Sequence, residues 1–262
     1  MRKFPSKIKR IVVKVGTQMI TDGVAEIHCD KIQSFVKEIA GLIKNGYEVI
    51  IVSSGAIGSG LAKLGLKERP TDYKQLQALA SVGQIHLMKI YDQEFNKYGL
   101  QVGQVLLSAD DMKDSTRRTN TRNTLEVLLD KGIIPIINEN DSVAIEELSY
   151  GDNDNLSALV SILLYVDLLI FLTDVKGLCD KNPQIHPDAE VIKQVNEIDE
   201  ELEDLVEDID EGVSFGGMKS KLEAVKKLIN IGIPAVITSF NNDNLLKRVL
   251  EGEEIGTYFL AK

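Results

Sequence analysis

Four consecutive polar residues precede an apolar stretch in the segment GDNDNLSALVSILL (151–164). They are Asp152, Asn153, Asp154 and Asn155. Asp and Asn are preferred helix N-caps, and negative charge at that position stabilises a helix by roughly 0.3–1 kcal/mol. One cap requires only one such side chain. The remaining carboxylate and carboxamide groups are therefore expected to bind something else.

Lys14 is a cation inside an otherwise apolar run, IKRIVVKVG (8–16). At the edge of a sheet its side chain would simply reach solvent. The first strand of an α/β sheet is more often central and covered on both faces, and a buried ammonium group in such a strand needs an anionic partner. The sequence thus favours a Lys14 that faces a ligand.

Lys221 is a second lysine in a position that favours anion binding. It follows Gly216-Gly217 at the start of a predicted helix, where exposed backbone N–H groups bind phosphate and a neighbouring lysine adds positive charge. The segment GVSFGGMKSK (212–221) does not fit the P-loop pattern G-x-x-x-x-G-K-[ST], and a loop with solvated lysines is the alternative. The small residues of SSGAIGSG (53–60) repeat the phosphate-binding signal after the second predicted strand.

Strand-like and helical patterns alternate along the chain. Strands are predicted over 8–16, 47–55, 100–107, 132–138, 168–174, 233–239 and 256–261, and a polar hairpin over 143–150. Helices are predicted over 30–46, with a D-x-x-Q capping box at its start, 73–98, 119–131, the segment after 151, the acidic segment 197–211 and the segment from Lys221 to 231. The alternation predicts an α/β fold whose mostly parallel sheet carries helices on both faces, in a single domain over 1–262. Ligands bind at the carboxyl ends of strands in such sheets, and the polar sequences KVGT, SSGAIGSG, NEND and LTD all follow predicted strands.

Composition excludes several other classes of protein. The net charge of −10 is local, because the segment 197–211 holds ten acidic residues and no Lys or Arg, so no basic face for nucleic acid is expected. The chain has no apolar run long enough to cross a membrane and no signal-peptide pattern, which predicts a cytoplasmic protein. Cys29 and Cys179 are too few for a disulfide framework, and the three histidines lack metal-binding spacing.

Eight short sequences occur in an order and spacing that belong to a known family. They are VKVGT, VSSGAIGSG, ASVGQ, VGQVLL, INENDSV, GDNDNLSA, LTDVKGL and GGMKSK. Over essentially the whole chain they resemble the glutamate 5-kinases, a family of the amino acid kinase superfamily. INENDSV together with GDNDNLSA is specific to this family.

The resemblance implies a three-layer αβα sandwich in which ATP, Mg²⁺ and L-glutamate meet over the carboxyl edge of the sheet. The implied catalytic residues are Lys14, Lys221 and Asp154, with the carboxylate orienting the two lysines. The implied glutamate-binding positions are Ser54, Gly55, Asn138, Asp141 and Asn153. The implied nucleotide-binding positions are Lys14, Gly16, Thr173, Asp174, Phe215, Gly216, Gly217, Met218, Lys219, Ser220 and Lys221. The sequence does not identify the ligands of Mg²⁺.

The chemistry of this reaction explains the surplus of polar residues near 152–155. A glutamate γ-carboxylate is already ionised at pH 7, since its pKa is about 4.3, and it needs no general base. The substrate α-ammonium needs an anionic acceptor, for which Asp141 is expected. The α-carboxylate needs donors such as the Asn153 side-chain NH₂, Asp154 would hold the lysines, and Asp152 or Asn155 would remain as the cap.

Two departures from the family pattern affect what the resemblance implies. Many members have Thr where this chain has Phe215, so the detail of nucleotide contact is affected. Many members also continue into a C-terminal PUA domain, for which this chain leaves no room. We therefore expect a form without a PUA domain, whose feedback inhibition by proline does not follow from the resemblance.

Several alternatives remain open at this stage. Another kinase of the superfamily, acetylglutamate kinase, is the nearest one, and a non-catalytic amino-acid or nucleotide sensor on the same fold is the other. A partner reductase that receives glutamyl phosphate is expected from the chemistry of the product. We expect a homo-oligomer, with the apolar stripe of 73–98 serving as core or partly as subunit interface, and a solvated loop over 115–123.

Overall fold

The computed structural model describes residues 1–21, 26–143, 152–183, 185–210, 217–240 and 244–261, with only the backbone for 152 and 207–210. The statements below refer to these residues. Phe215 and Gly216 of the expected nucleotide site lie outside them. The expected hairpin over 143–150 lies outside them as well, apart from its first residue.

The central sheet has eight strands. They are β1 (Arg10–Val15), β2 (Glu48–Ser53), β3 (Gln101–Leu107), β4 (Ile133–Glu139), β5 (Leu168–Thr173), β6 (Gln194–Val195), β7 (Ala235–Ser239) and β8 (Thr257–Phe259). Their order in space is β3-β4-β2-β1-β5-β7-β8-β6, and the one antiparallel pair among the described strands is β7 with β8. The strand β1 is therefore central, as expected, between β2 and β5.

Helices connect most of the strands. They are α1 (Thr17–Ile20), α2 (Cys29–Lys44), α3 (Ala56–Leu64), α4 (Tyr73–Asn96), α5 (Ala109–Lys113), α6 (Ser115–Asp130), α7 (Asp152–Leu164), α8 (Glu200–Asp210), α9 (Met218–Ile229) and α10 (Leu245–Leu250). Parallel neighbours need such crossover connections because a tight turn cannot join the end of one strand to the start of the next.

The two faces of the sheet carry separate hydrophobic cores. On one face Ile11, Val13 and Val15 of β1 pack in a core that includes residues of α2, α4 and α10. On the other face Val12 packs in a core that includes residues of α6, α7 and α9. Successive side chains of a strand point to opposite faces, so both faces of β1 are buried. The predicted α/β fold with helices on both faces of a mostly parallel sheet is confirmed.

Two local expectations are wrong, and one strand was not predicted. The capping box of α2 does not form, since the helix begins at Cys29 and its N-cap His28 makes no side-chain cap bond. The segment 115–123 is not a loop but the first half of α6, because Asp114 accepts a hydrogen bond from the Arg117 backbone N–H at 2.8 Å and caps the helix there. The two-residue strand β6 was not expected, since its sequence is too short to show a period.

None of the helices in the described part of the chain combines the length and the apolar character that a bilayer crossing requires.

Candidate active site

Lys14 lies in the middle of the sheet and its ammonium group is buried. The strand β1 pairs with β2 and β5, and Lys14 follows the alternation that places Val12 on the face covered by α7 and α9. The residue is only 7% exposed. A cation in this position must be compensated by an anion within the fold.

Asp154 supplies that anion and binds a second lysine with its other oxygen. Lys14 Nζ lies 2.6 Å from Asp154 Oδ1, and Lys221 Nζ lies 3.2 Å from Asp154 Oδ2. The Ser220 hydroxyl donates a hydrogen bond of 2.6 Å to Oδ2 as well. Lys221 and Asp154 are 5% and 1% exposed, so the cluster is shielded from water. It holds two positive charges and one negative charge, and it therefore retains a net charge that favours an anionic ligand.

The pKa values in the cluster reflect competition between burial and charge. Burial alone would raise the pKa of the Asp154 carboxyl, but Lys14, Lys221 and the hydrogen bond from Ser220 together lower this pKa below its ordinary value. Burial lowers the pKa of Lys221, with Lys14 acting in the same direction, and this outweighs the opposing effect of Asp154 and Asp174. The Asp154 carboxylate is thus held ionised. The surroundings of Lys221 make it easier to deprotonate than an ordinary lysine.

The first turn of α9 positions Lys221 and Ser220. The N-cap is Gly217, Met218 is buried, and Lys221 Nζ donates a hydrogen bond of 3.2 Å back to the Gly217 carbonyl. Lys219, which follows Met218 in the same turn, is exposed. The helix therefore presents one lysine to the buried cluster and the other to the outer surface.

Three further expected nucleotide positions, Gly16, Thr173 and Asp174, lie at the carboxyl ends of β1 and β5. Gly16 follows β1, and its backbone N–H donates a hydrogen bond of 3.0 Å to the Leu172 carbonyl. A Cβ atom at Gly16 would lie 3.2 Å from that same oxygen, so a larger residue would crowd β5. Thr173 ends β5, and its hydroxyl donates to the carboxylate of the exposed Asp174 at 2.9 Å.

Ser54 and Gly55 form the turn between β2 and α3. Gly55 has φ = 101° and is the N-cap of α3, and a Cβ atom there would lie 2.9 Å from Ile20 Cγ2. The glycine is required by this left-handed conformation and by the close approach of α1. The Ser54 hydroxyl accepts a hydrogen bond of 3.2 Å from Asn153 Nδ2, which connects this turn to α7.

Asn153 also donates to Asn138, a buried residue near the end of β4. Its Nδ2 lies 3.0 Å from Asn138 Oδ1, and that same oxygen accepts a hydrogen bond of 2.9 Å from the Glu139 backbone N–H. A backbone N–H can only donate, so the Asn138 atom that faces it must be oxygen. The Asn153 atom that faces this oxygen must in turn be nitrogen. The network therefore fixes the orientation of both amides.

This orientation changes the role expected for Asn153. Its NH₂ group, expected to donate to a substrate carboxylate, donates to Ser54 and Asn138 instead. Its Oδ1 is buried and has no hydrogen-bond partner among the described residues. An unpaired buried acceptor costs roughly 1–3 kcal/mol, so this oxygen is suited to a ligand that donates a hydrogen bond.

The other polar residues of this region have separate positions. Asp141 lies, partly buried, in the turn that follows β4. Asn155 contacts Lys227 of α9. The side chain of Asp152 lies outside the described residues, so its role as a cap stays a prediction. The four polar residues at 152–155 thus include at least two, Asn153 and Asp154, whose side chains bind different partners.

Comparison with known proteins identifies the family of this chain. The model of the amino acid kinase family matches residues 9–239. The glutamate 5-kinase of Lactococcus lactis is 44% identical and is covered over 98% of its length by the whole of this chain. The glutamate 5-kinase of Caldanaerobacter subterraneus is 46% identical, over 96% of this chain and 68% of its own length. The chain belongs to the glutamate 5-kinase family.

Two solved structures share the fold of this glutamate 5-kinase family member at low sequence identity. The UMP kinase of Bacillus anthracis superposes with a TM-score of 0.63 at 16% identity, over 98% of each chain. The isopentenyl phosphate kinase of T. acidophilum superposes with a TM-score of 0.64 at 20% identity, over 96% of this chain and 100% of its own. They show the three-layer amino acid kinase fold, which confirms the expected architecture.

A glutamate 5-kinase family member is expected to use Mg²⁺. The side chains available as metal ligands indicate whether the protein or the nucleotide would hold this ion. The described residues contain no group of three or more His, Cys, Asp or Glu side chains that could hold a metal ion. Both oxygens of Asp154 are already bound by lysines. These residues suit Mg²⁺ that arrives on the nucleotide, since this ion is usually held by substrate phosphates, waters and one or two carboxylates.

The sequence analysis did not identify Gln84 of α4, which contacts the candidate site of this glutamate 5-kinase family member. It is 8% exposed, and its Oε1 accepts a hydrogen bond of 2.8 Å from Asn138 Nδ2. The sequence did carry a signal. Gln84 lies four residues after Ala80 and three before Leu87, so it interrupts a buried apolar stripe, and a polar residue there needs a polar partner.

Proposed function

We propose that this protein transfers the γ-phosphoryl group of MgATP to the γ-carboxylate of L-glutamate, which yields ADP and L-glutamyl 5-phosphate. The single observation that carries the proposal is the buried Lys14–Asp154–Lys221 cluster, which adjoins the Ser54–Asn153–Asn138 network through consecutive residues of α7. One group suits a polyphosphate and the other suits an amino acid. Membership of the glutamate 5-kinase family supports the same pair of ligands.

The main obstacle to this reaction is the repulsion between a carboxylate and a triphosphate. Lys14 and Lys221 would neutralise charge on the transferring phosphoryl group, and Mg²⁺ would do so when bound to the nucleotide. Two unit charges 4 Å apart interact by roughly 4 kcal/mol at an effective dielectric of 20, so each lysine can contribute several orders of magnitude in rate. Asp154 would hold both ammonium groups in place before the substrates arrive.

The chemical step requires no proton transfer by the protein. An oxygen of the ionised γ-carboxylate attacks the γ-phosphorus, and the bond from that phosphorus to the bridging oxygen breaks. The electron pair remains on the β-phosphate of ADP, so charge and atoms balance without a general base. The task of the protein is to align the attacking and leaving oxygens and to neutralise charge.

Recognition of glutamate is proposed for the residues at the carboxyl ends of β2 and β4. Asn153 Oδ1, the buried acceptor without a described partner, would accept a hydrogen bond from the substrate α-ammonium, and Asp141 would supply the negative charge. Ser54, Gly55 and Asn138 would complete the site, with the backbone at Gly55 close to the substrate. This assignment replaces the donor role expected for the Asn153 amide.

Recognition of the nucleotide is proposed for the carboxyl ends of β1 and β5 and the first turn of α9. The positions are Lys14, Gly16, Thr173, Asp174, Phe215, Gly216, Gly217, Met218, Lys219, Ser220 and Lys221. The N-terminus of a helix attracts phosphate because its backbone N–H groups have no intrahelical acceptors. Asp174 lies close enough to Lys221 for its negative charge to oppose the lowering of the lysine pKa. This proximity supports a shared nucleotide site.

A coupled assay of ADP release with L-glutamate and MgATP tests the proposed function. Hydroxylamine in the same reaction traps an acyl phosphate as a hydroxamate, which establishes that the carboxylate and not water receives the phosphoryl group. Glutamate-dependent ADP release with a matching amount of hydroxamate is expected. Faster turnover of N-acetylglutamate would identify an acetylglutamate kinase instead, and binding of both ligands without any hydroxamate would identify a sensor.

Further parts of the proposal rest on family membership and on product chemistry. The reaction is the first step of proline synthesis, in the cytoplasm, and proline is proposed as a feedback inhibitor. An acyl phosphate hydrolyses readily, so we propose a site that closes against water and a reductase that receives the product. A homo-oligomer is proposed as well. Size-exclusion chromatography with light scattering tests the proposed homo-oligomer. Inhibition assays test the proposed effect of proline.

A further inference from the structure

We propose that Gln84 is a positioning residue for the amino-acid substrate, and that it acts through Asn138 on the buried oxygen of Asn153. The inference rests on the proposed function, since it concerns how the site binds an α-ammonium group. Gln84 belongs to α4, whose other buried side chains are mostly part of the apolar core. Its own partners are the side chains of Asn138 and Gln104.

A continuous chain of amide hydrogen bonds connects α4 with the amino-acid site. Asn153 Nδ2 donates to Asn138 Oδ1 at 3.0 Å, and Asn138 Nδ2 donates to Gln84 Oε1 at 2.8 Å. Gln84 Nε2 then donates to Gln104 Oε1 at 3.0 Å. Gln104 belongs to β3 and is exposed, so the chain runs from a buried site to the surface.

The direction of every bond in this chain follows from one backbone group. The Glu139 backbone N–H fixes oxygen as the Asn138 atom on its side, which leaves the Asn138 NH₂ group to face Gln84. Gln84 must therefore present its oxygen to Asn138 and its nitrogen to Gln104. A side chain at position 84 that lacks an acceptor would leave a buried NH₂ group of Asn138 unpaired. The Glu139 backbone N–H still faces Asn138 Oδ1, so the Asn138 side chain would shift from its position without exchanging its oxygen and nitrogen.

A shift of Asn138 would release Asn153. The Asn153 NH₂ group is held by Asn138 on one side and by Ser54 on the other, and this arrangement directs Asn153 Oδ1 away from both. If Asn138 Oδ1 moves away, the Asn153 NH₂ group loses one of its two acceptors and Asn153 Oδ1 is no longer held in place. The site would then lack a fixed acceptor for the substrate α-ammonium.

The backbone around Gln84 is suited to such a positioning role. The neighbouring residue Gly83 packs against the start of α3, where an added Cβ atom would lie 1.8 Å from the Ala56 carbonyl oxygen. At Gly60 of α3 an added Cβ atom would lie 2.1 Å from the Leu79 carbonyl oxygen. The helices α3 and α4 are therefore in backbone contact, which fixes Gln84 relative to the turn at Ser54.

The test compares Gln84→Met, which removes the acceptor at similar length, with Gln84→Glu, which keeps an acceptor oxygen. Gln84→Met is expected to raise KM for glutamate about tenfold, with kcat and KM for MgATP within about threefold of the parent values. Gln84→Glu is expected to recover most of the glutamate affinity, because the exposed Gln104 can turn its amide to donate to the carboxylate. Gln93→Met, an exposed position of the same helix, is the matched control and is expected to leave all three values unchanged.

Two results separate failure of this inference from failure of the proposed function. Absence of glutamate-dependent hydroxamate with the parent protein would overturn the proposed function itself. If the parent forms hydroxamate but Gln84→Met leaves KM for glutamate unchanged, or raises both KM values equally, the positioning role is wrong. Thermal unfolding of each variant accompanies the kinetics. If Gln84→Met does not fold, Gln84→Leu, which also lacks an acceptor, takes its place and is judged by the same results.

Discussion

Asn153 and Asp154 are consecutive residues of α7, yet their side chains bind two different sets of partners. Asn153 donates to Ser54 and Asn138, while Asp154 binds Lys14 and Lys221. Neighbouring residues of a helix are rotated by about 100° from each other, because a turn takes 3.6 residues. The first turn of α7 thus contacts the proposed amino-acid site with one side chain and the proposed phosphate site with the next.

Removal of either buried lysine is expected to abolish most of the activity. Lys14→Met and Lys221→Met should each lower kcat for glutamate phosphorylation by about a thousandfold or more, since each removes a charge interaction of roughly 4 kcal/mol. Steady-state ADP release measures the effect. Lys37→Met, at an exposed position of α2, is the control. A loss below tenfold in both buried variants would contradict the role assigned to the cluster.

Neutralisation of Asp154 is expected to destabilise the fold because it removes the carboxylate that two buried cations share. Asp154→Asn should lower the free energy of unfolding by about 3–5 kcal/mol, as measured by urea denaturation. The double variant Asp154→Asn with Lys221→Met removes one of the cations and should be more stable than Asp154→Asn alone. Additive losses in the double variant would show that the three charges do not interact.

The stability contributed by Asp154 is also expected to depend on pH. Its pKa is lowered in the folded protein, so the unfolded chain binds a proton first as the pH falls. The contribution is fully present above the unfolded pKa of about 3.9 and disappears as the pH falls through the lower folded value. The difference in unfolding free energy between the parent and Asp154→Asn should therefore shrink as the pH falls below about 5. A difference that stays constant as the pH falls below that value would contradict the lowered pKa.

The lowered pKa of Lys221 predicts an alkaline limit to activity. In the free protein this lysine should lose its proton below the ordinary lysine value of 10.5, so kcat/KM for MgATP should fall at a pH below 10.5. Bound phosphate favours the charged ammonium, so the limit in kcat should lie at higher pH. Lys221→Arg, whose guanidinium stays protonated, should lose the limit while circular dichroism follows the fold. The same limit in the arginine variant would assign it to another group.

The contact between α3 and α4 is expected to require glycine at position 83. Gly83→Ala places a methyl group 1.8 Å from the Ala56 carbonyl oxygen, so it should destabilise the protein by about 1–3 kcal/mol or more and weaken glutamate binding at the adjoining turn. Gly41→Ala is the matched control in α2, since no atom lies within 4 Å of its added methyl group. The control should stabilise the protein by up to about 1 kcal/mol. Equal effects of the two substitutions in thermal unfolding would contradict the close contact.

Much of the fold followed from local patterns. The apolar run of β1 and the apolar stripe of α2 depend only on neighbours along the chain, and both elements were predicted within a few residues. The error over 115–123 has a physical cause, since a polar sequence rich in Thr and Asn has no apolar stripe to indicate a helix. Its helical state depends on the cap at Asp114 and on a few buried positions such as Leu125.

The candidate site also has features that follow from the sequence and features that only the structure reveals. The sequence by itself determined that Lys14 needs an anion and that the polar cluster at 152–155 exceeds what a cap requires, because residue type and local pattern fix those needs. The family resemblance implied that Asp154 orients Lys14 and Lys221. Only the tertiary structure decided that each lysine binds a different oxygen of Asp154, and that the Asn153 amide turns its nitrogen away from the position we expected. Ion pairs and amide orientations depend on distances of 2.6–3.2 Å between residues from separate elements. No pattern along the chain contains those distances, since the packing of helices on the sheet creates them.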